Sequence, residues 1–195
     1  MKNSGCIASG YDPRDIELES KSSNLPYEFT YGSYIKRVKD QGASFKCVPY
    51  AISYALELIA EWNDKKVNVD IDKIYGMRSN SSDGMMIREA LNIIKHNDCG
   101  ADKISLYGRL TSIDTIKYSV VANGPCIMAL PVRSDGDQFW RGHEDMGAHA
   151  ICCIGYNSTG FILVNSWGAK WGNYGQCVLP YKEANRIIEC WGIIC

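Results

Sequence analysis

The sequence predicts an α+β fold, with helices first and antiparallel strands after. Two observations lead to it. Between Val48 and Asn123, three stretches space their apolar residues three and four apart, as helices do. From Cys126 onward, short apolar runs are separated by turn-forming residues, as strands are. Helices segregated ahead of strands make an α+β domain, whereas strict alternation would make a parallel sheet.

The first helix follows Cys47. Val48, Ala51, Ile52, Ala55, Leu56, Ile59 and Trp62 form one broad apolar face, and the pattern ends near Trp62-Asn63-Asp64. Pro49 lies in the first turn, where its missing N–H costs nothing. Val67 to Gly76 reads as a short strand-like segment and a helical turn. Asp83-Gly84-Met85-Met86 then precedes a second amphipathic helix, whose Ile87, Ala90, Leu91 and Ile94 are core positions. His96 at its end is favourable electrostatically. Ser112 caps a third helix that runs to Asn123, and Gly124-Pro125 stops it.

Cys126 to Leu130 is a buried strand. Gly136 to Gly147 is polar; its His143, Glu144 and Asp145 are residue types that ligate metals, but a solvated loop is the better reading. An apolar run through Tyr156 and the run Phe161 to Val164 flank Asn157-Ser158-Thr159-Gly160, which predicts a hairpin. Gln176 to Leu179 and Ile187 to Trp191 are closing strands. No internal repeat or low-complexity tract is present.

A chain of 195 residues makes one domain or two tightly packed lobes. A net charge of −1 gives no electrostatic reason to expect nucleic acid. No apolar run approaches the ~18 residues of a membrane span. The first ten residues lack the apolar centre of a signal peptide, and position 2 is not the glycine that myristoylation needs. Nine cysteines are an odd number, and with no export signal they imply reduced thiols and a cytoplasmic location. Cys126, Cys152, Cys153 and Cys177 lie in apolar strands and read as small buried hydrophobes. With no C-x-x-C pair and three histidines, neither a metal nor a cofactor is expected.

Chemistry enters at Cys47. A thiolate at the start of a buried helix is stabilised by the dipole and by free backbone N–H groups. A base appears a hundred residues on: His149 opens the hairpin and Asn165 follows it, so the fold of the hairpin sets the two side by side near its open end. One cysteine with a distant histidine and asparagine is a pattern of nucleophilic enzymes.

These residues resemble the papain and cathepsin family of cysteine peptidases. Val38-Lys39-Asp40-Gln41-Gly42, with Cys47 five residues on and Tyr50-Ala51 after it, is similar to that family's active-site segment. Ala148-His149-Ala150 and Asn165-Ser166-Trp167-Gly168, followed by Trp171-Gly172 and Gly175, are similar to its histidine and asparagine segments. Two positions depart. The family usually has cysteine three residues before the nucleophile and tryptophan just after it, where this chain has Ser44 and Val48.

The resemblance implies a papain-like two-lobe fold. A helical left lobe over about 25–110 would face an antiparallel, barrel-like right lobe over about 111–195, with the cleft between them. It implies Cys47 as nucleophile, His149 as general base and acid, Asn165 orienting His149, and Gln41 with the Cys47 N–H holding the oxyanion. A thiolate–imidazolium pair would dominate from roughly pH 4 to 8. Trp167 would cover the His149–Asn165 bond. Gly84 would pair with substrate backbone, and Met85 and Met86 would line the specificity pocket. The expected partner is a peptide or protein substrate, cut within the chain. The alternatives are an inactive peptide-binding module, or an aminopeptidase or acyl-transfer enzyme on the same site.

Residues 1–24 precede this peptidase domain of 25–195 as a polar extension, with a turn at Tyr11 to Asp15 and a charged stretch at Glu17, Glu19 and Lys21. They are too few for a folded inhibitory propeptide, but in extended form they span up to ~80 Å, enough to cross a cleft. The expectation is an extended strand docked in the chain's own cleft near Gly84; the alternative is a disordered tail.

Overall fold

The computed structural model describes residues 3–20, 24–81 and 83–195. Met1, Lys2 and part of the charged stretch at Lys21 lie outside them. The strands are β1 (Cys6–Ile7), β2 (Phe29–Thr30), β3 (Met85–Met86), β4 (Leu106–Arg109), β5 (Cys126–Pro131), β6 (Ala148–Tyr156), β7 (Gly160–Val164), β8 (Gln176–Pro180) and β9 (Glu189–Ile194). The helices are α1 (Cys47–Trp62), α2 (Ile71–Gly76), α3 (Ile87–His96) and α4 (Ile113–Ala122).

Helix α1 begins on Cys47 and buries Val48, Ala51, Ile52, Ala55 and Leu56, the face its spacing predicts. Trp62 departs from that face. It is 47% exposed and closes an aromatic cluster with Phe29, Tyr31 and Tyr34 at centroid distances of 5.8, 5.2 and 5.3 Å. Helix α3 buries Ile87, Ala90, Leu91 and Ile94. Helix α4 is held at its start by a reciprocal cap, in which the Ser112 hydroxyl accepts from Thr115 N–H and Thr115 Oγ1 accepts from Ser112 N–H.

Strand β6 is the spine of the sheet. It pairs antiparallel with β5 from Ala148↔Pro131 to Cys153↔Cys126, and with β7 from Cys152↔Val164 to Tyr156↔Phe161. A register shift between Cys153 and Gly155 bends it where it passes from one partner to the other, which curls the sheet. Strand β9 pairs with β5 and carries β4, while β8 adds to β7. Helix α1 lies against β6.

Four features differ from the sequence reading. Residues 67–70 form no strand; Asn68 and Asp70 N–H groups instead donate to the Gly100 and Cys99 carbonyls. Strand β4 went unforeseen because its four residues centre on Gly108, which hides any alternation. The loop 136–147 is polar in composition, yet its Phe139 and Trp140 are fully buried. The last strand starts at Glu189, after a 3-10 turn over Tyr181–Arg186.

The chain's start also belongs to the sheet. Cys6 and Ile7 pair parallel with Met85 and Met86, and Cys6 pairs antiparallel with Ala148. Strand β1 therefore joins β3, which leads into the helical side, to β6 of the opposite side.

Candidate active site

Three separate stretches meet at Cys47, and backbone bonds hold them together. Gln41 N–H donates to the Ser166 carbonyl at 2.8 Å, and Gly168 N–H donates to the Lys39 carbonyl at 3.0 Å. The lead-in to α1 is thus laid along the segment after β7. The Ser166 hydroxyl donates to Gln41 Oε1 at 2.7 Å, which turns the Gln41 amide nitrogen toward the cleft. Ser44 has no thiol to offer; its hydroxyl donates to the Gln41 carbonyl at 2.7 Å and tightens this turn. Val48 is fully buried in the core.

His149, at the start of β6, and Asn165, just past β7, are both fully buried and bonded: His149 Nε2 lies 2.7 Å from Asn165 Oδ1. Ser166 N–H also donates to that oxygen, at 2.8 Å, which fixes Oδ1 as the acceptor. Nε2 must then carry the proton, leaving Nδ1 with the lone pair. Nδ1 is buried and has no hydrogen-bond partner among the described residues. A base whose far nitrogen is pinned and whose near nitrogen is vacant is ready to take a proton. Trp167 packs on His149 with centroids 4.6 Å apart, and Phe139 meets the same ring edge-on at 5.5 Å. These two rings keep water from the His149–Asn165 bond.

The cleft is filled by the chain's own start. Gly5 N–H donates to Cys47 Sγ at 3.3 Å. The Gly5 carbonyl points away and accepts from Met85 N–H at 2.8 Å. The Asn3 carbonyl accepts from Gln41 Nε2 at 3.1 Å, and the Ser4 hydroxyl donates to the Met146 carbonyl at 2.7 Å. Backbone pairing is centred on Met85, one residue past the Gly84 expected from sequence. Gly84 instead supplies clearance: its φ is +101°, and a Cβ there would lie 3.0 Å from the Gly5 carbonyl oxygen. Met85 is fully buried and Met86 half-buried beneath the segment. Gly5 is itself required, because a Cβ on it would stand 2.0 Å from the Phe45 carbonyl oxygen.

Covering the site changes its protonation. Burial pushes the Cys47 thiol up to about 11, against the pull of the Ala150, Gly5, Val48 and Cys47 backbone groups. Burial pushes His149 down to about 4, against the Asn165 bond. In the covered site burial thus works against the charged form of each partner, and so against the ion pair. The cause is desolvation, to which the segment over Cys47 adds its cover.

The description papain family cysteine protease belongs to a family model that matches residues 51–189. The chain belongs to the papain family of cysteine proteases. The matched stretch holds the histidine and asparagine segments and begins just after Cys47, whose surroundings are supplied by the structure. An uncharacterised peptidase C1-like protein of Acanthamoeba polyphaga mimivirus is 46% identical over 53 residues, which are 25% of this chain and 17% of that protein. Mexicain of Jacaratia mexicana is 36% identical over 61 residues, 28% of each. Each stretch thus spans less than a third of the relative. Among solved structures, xylellain, a cysteine protease from Xylella fastidiosa, shares the fold with a TM-score of 0.83 at 20% identity, over 99% of this chain and 96% of that one. The papain-like two-lobe α+β architecture is therefore shown.

Proposed function

We propose that the chain is an endopeptidase that covers its own cleft. Cys47 attacks a peptide carbonyl, and the vacant Nδ1 of His149 takes the thiol proton and returns it to the leaving amine. Asn165 fixes the tautomer, and the Gln41 amide with the Cys47 N–H holds the oxyanion, at ~3 kcal/mol per donor. Trp167 keeps the His149–Asn165 bond dry, and Gly84, Met85 and Met86 receive the substrate stretch that Cys6 and Ile7 now occupy.

The observation that carries this reading is the peptide already lying in the cleft. Residues 3–7 pass Cys47 with chain on both sides of the sulfur, bonded to Gln41 on one side and Met85 on the other. A cleft that admits a continuous chain suits internal cleavage better than removal of terminal residues. The segment resists its own enzyme because it presents an N–H to the sulfur while the Gly5 carbonyl is engaged elsewhere. When it leaves, water returns and the Cys47–His149 pair is free to ionise. All nine thiols are free, in keeping with the proposed cytoplasmic setting.

The test is alkylation by iodoacetamide near pH 5, followed by digestion of a peptide library, on the full chain with Gly5→Ala. Rapid labelling of Cys47 with cuts inside the peptides is expected. Inert Cys47 would make the chain a binding module, and release of single N-terminal residues alone would make it an aminopeptidase.

A further inference from the structure

Past Ile7 the segment leaves the cleft and crosses a second site that the peptidase chemistry does not use. Arg88, in the first turn of α3, and Arg109, at the end of β4, converge there. The Asp15 carboxylate accepts from Arg88 Nη2 at 2.6 Å and from Arg109 Nε at 2.8 Å, and its side chain is 9% exposed. Asp12 Oδ2 lies 4.0 Å from Arg88 Nη1. Arg109 Nη2 also donates to the Ser9 and Gly10 carbonyls at 2.7 and 3.1 Å. Both guanidinium groups lie over the buried Trp191 indole, with Cζ 4.6 Å from the ring centroid for Arg109 and 5.7 Å for Arg88. An aromatic face holds a guanidinium flat and leaves its fork of donors directed outward.

The charge balance decides what this site wants. The body contributes three cations, Arg88, Arg109 and Lys95, and two anions: Glu89 in the cavity wall, and Glu189, whose Oε2 is 3.5 Å from Arg109 Nη1 and accepts from Trp191 Nε1 at 2.9 Å. The segment contributes Asp15, and Asp12 together with Arg14, whose guanidinium donates to the Asp12 carboxylate at 2.9 and 2.7 Å; Asp15 is thus the anion that the arginine pair holds directly. Without the segment, Arg109 keeps Glu189, while among the described residues Arg88 is left with no carboxylate. Its Nε is already buried and unpartnered. A cavity of about 430 Å³ adjoins the pair, lined by Met86, Arg88, Glu89, Lys95 and Tyr107 on the body's side. Met86 is the residue that pairs with Ile7 in the cleft, so the basic site continues directly from the substrate track.

We propose that Arg88 and Arg109 on the Trp191 face form an acidic-residue site of the uncovered enzyme, so that its substrates are peptides bearing aspartate or glutamate outside the stretch lying along Met85–Met86. This rests on the peptidase reading of the cleft. Asp15 then holds the segment in place by occupying the site that recognises substrate, with Asp12 at its edge.

The test uses the full chain carrying Gly5→Ala, Asp12→Asn and Asp15→Asn, which can neither seat its segment nor fill the arginine site from within. Adding Cys47→Ala prevents cleavage during binding. Two fluorescein-labelled peptides of about twelve residues share an uncharged centre and carry either aspartates or asparagines on both flanks. Fluorescence anisotropy should give about tenfold tighter binding of the aspartate peptide, an advantage that shrinks with added salt and disappears in Arg88→Gln. Equal binding of the two peptides, or an aspartate preference that survives Arg88→Gln, would overturn the proposal. With Cys47 restored, tight aspartate binding without cleavage would refute the peptidase reading and keep the acidic site. Equal cleavage of both peptides would do the reverse.

Discussion

Gly5→Ala is the smallest change that should uncover the enzyme. The added Cβ would stand 2.0 Å from the Phe45 carbonyl oxygen, 2.6 Å from its carbon and 2.8 Å from its Cα. That backbone leads straight into α1 and is tied to Ser166 through Gln41, so it has little room to yield. The segment must lift instead. Lifting breaks at least the bonds from Gly5 N–H to Cys47 Sγ, from Met85 N–H to the Gly5 carbonyl, and from Gln41 Nε2 to the Asn3 carbonyl. At ~1 kcal/mol net each, about 3 kcal/mol is lost, which raises the uncovered fraction by about 100-fold. Alkylation of Cys47 by iodoacetamide at pH 7, followed by mass mapping of the peptide that holds it, reads that fraction. Gly10→Ala is the control, since a Cβ there meets nothing within 4 Å. A Gly5→Ala rate within about twofold of the Gly10→Ala rate would show that the segment is not held at the sulfur.

Cys47→Ala should abolish peptide cleavage while moving the thermal midpoint little, because only one sulfur is lost from a site otherwise unchanged; kinetics and calorimetry on the same sample check both halves. Asn165→Ala should be milder, lowering kcat/KM by about 100-fold, since it loosens the His149 tautomer without removing a reacting group; an unchanged value would void the assigned role. Stability should fall with acid in a window set by His149. Its value is depressed to about 4 from 6.5, so its contribution is complete above 6.5 and is lost as the pH drops toward 4, by up to roughly 3 kcal/mol. Denaturant melts at intervals across that window should show the loss in the parent chain and not in His149→Gln.

Much of the site was legible because its residues fall at places the chain must punctuate. Cys47 stands where an apolar helix begins, and His149 and Asn165 stand at the two ends of a hairpin whose turn is explicit. Hairpin register then makes their meeting unavoidable. Gln41 was placed by resemblance; the bond that orients it comes from Ser166, across the sheet. Phe139 escaped notice because one aromatic residue in a polar loop has no period to reveal that it supports His149. The extension was anticipated as a strand, but its pairing with Met85 depends on the close fit of Gly5 to Phe45, which no local pattern announces. Tyr11 to Asp15 read only as a turn. Asp15 is instead sequestered by two arginines that lie 73 and 94 residues away in sequence.

The position of β1 also orders events during synthesis. Residues 3–15 are made before every group that holds them: Cys47, Met85, Arg88, Arg109, Met146, Ala148 and finally Glu189. At roughly 5–20 residues per second, the segment waits on the order of ten to forty seconds for its last anchor. Through that interval it must remain free and uncommitted, which its polar, turn-rich composition allows. Glu189 sits on β9, and β9 closes the sheet that presents His149. The segment therefore gains its final hold as the catalytic wall is finished. On the proposed reading, the hold on the segment and the wall that presents His149 are thus completed by the same strand.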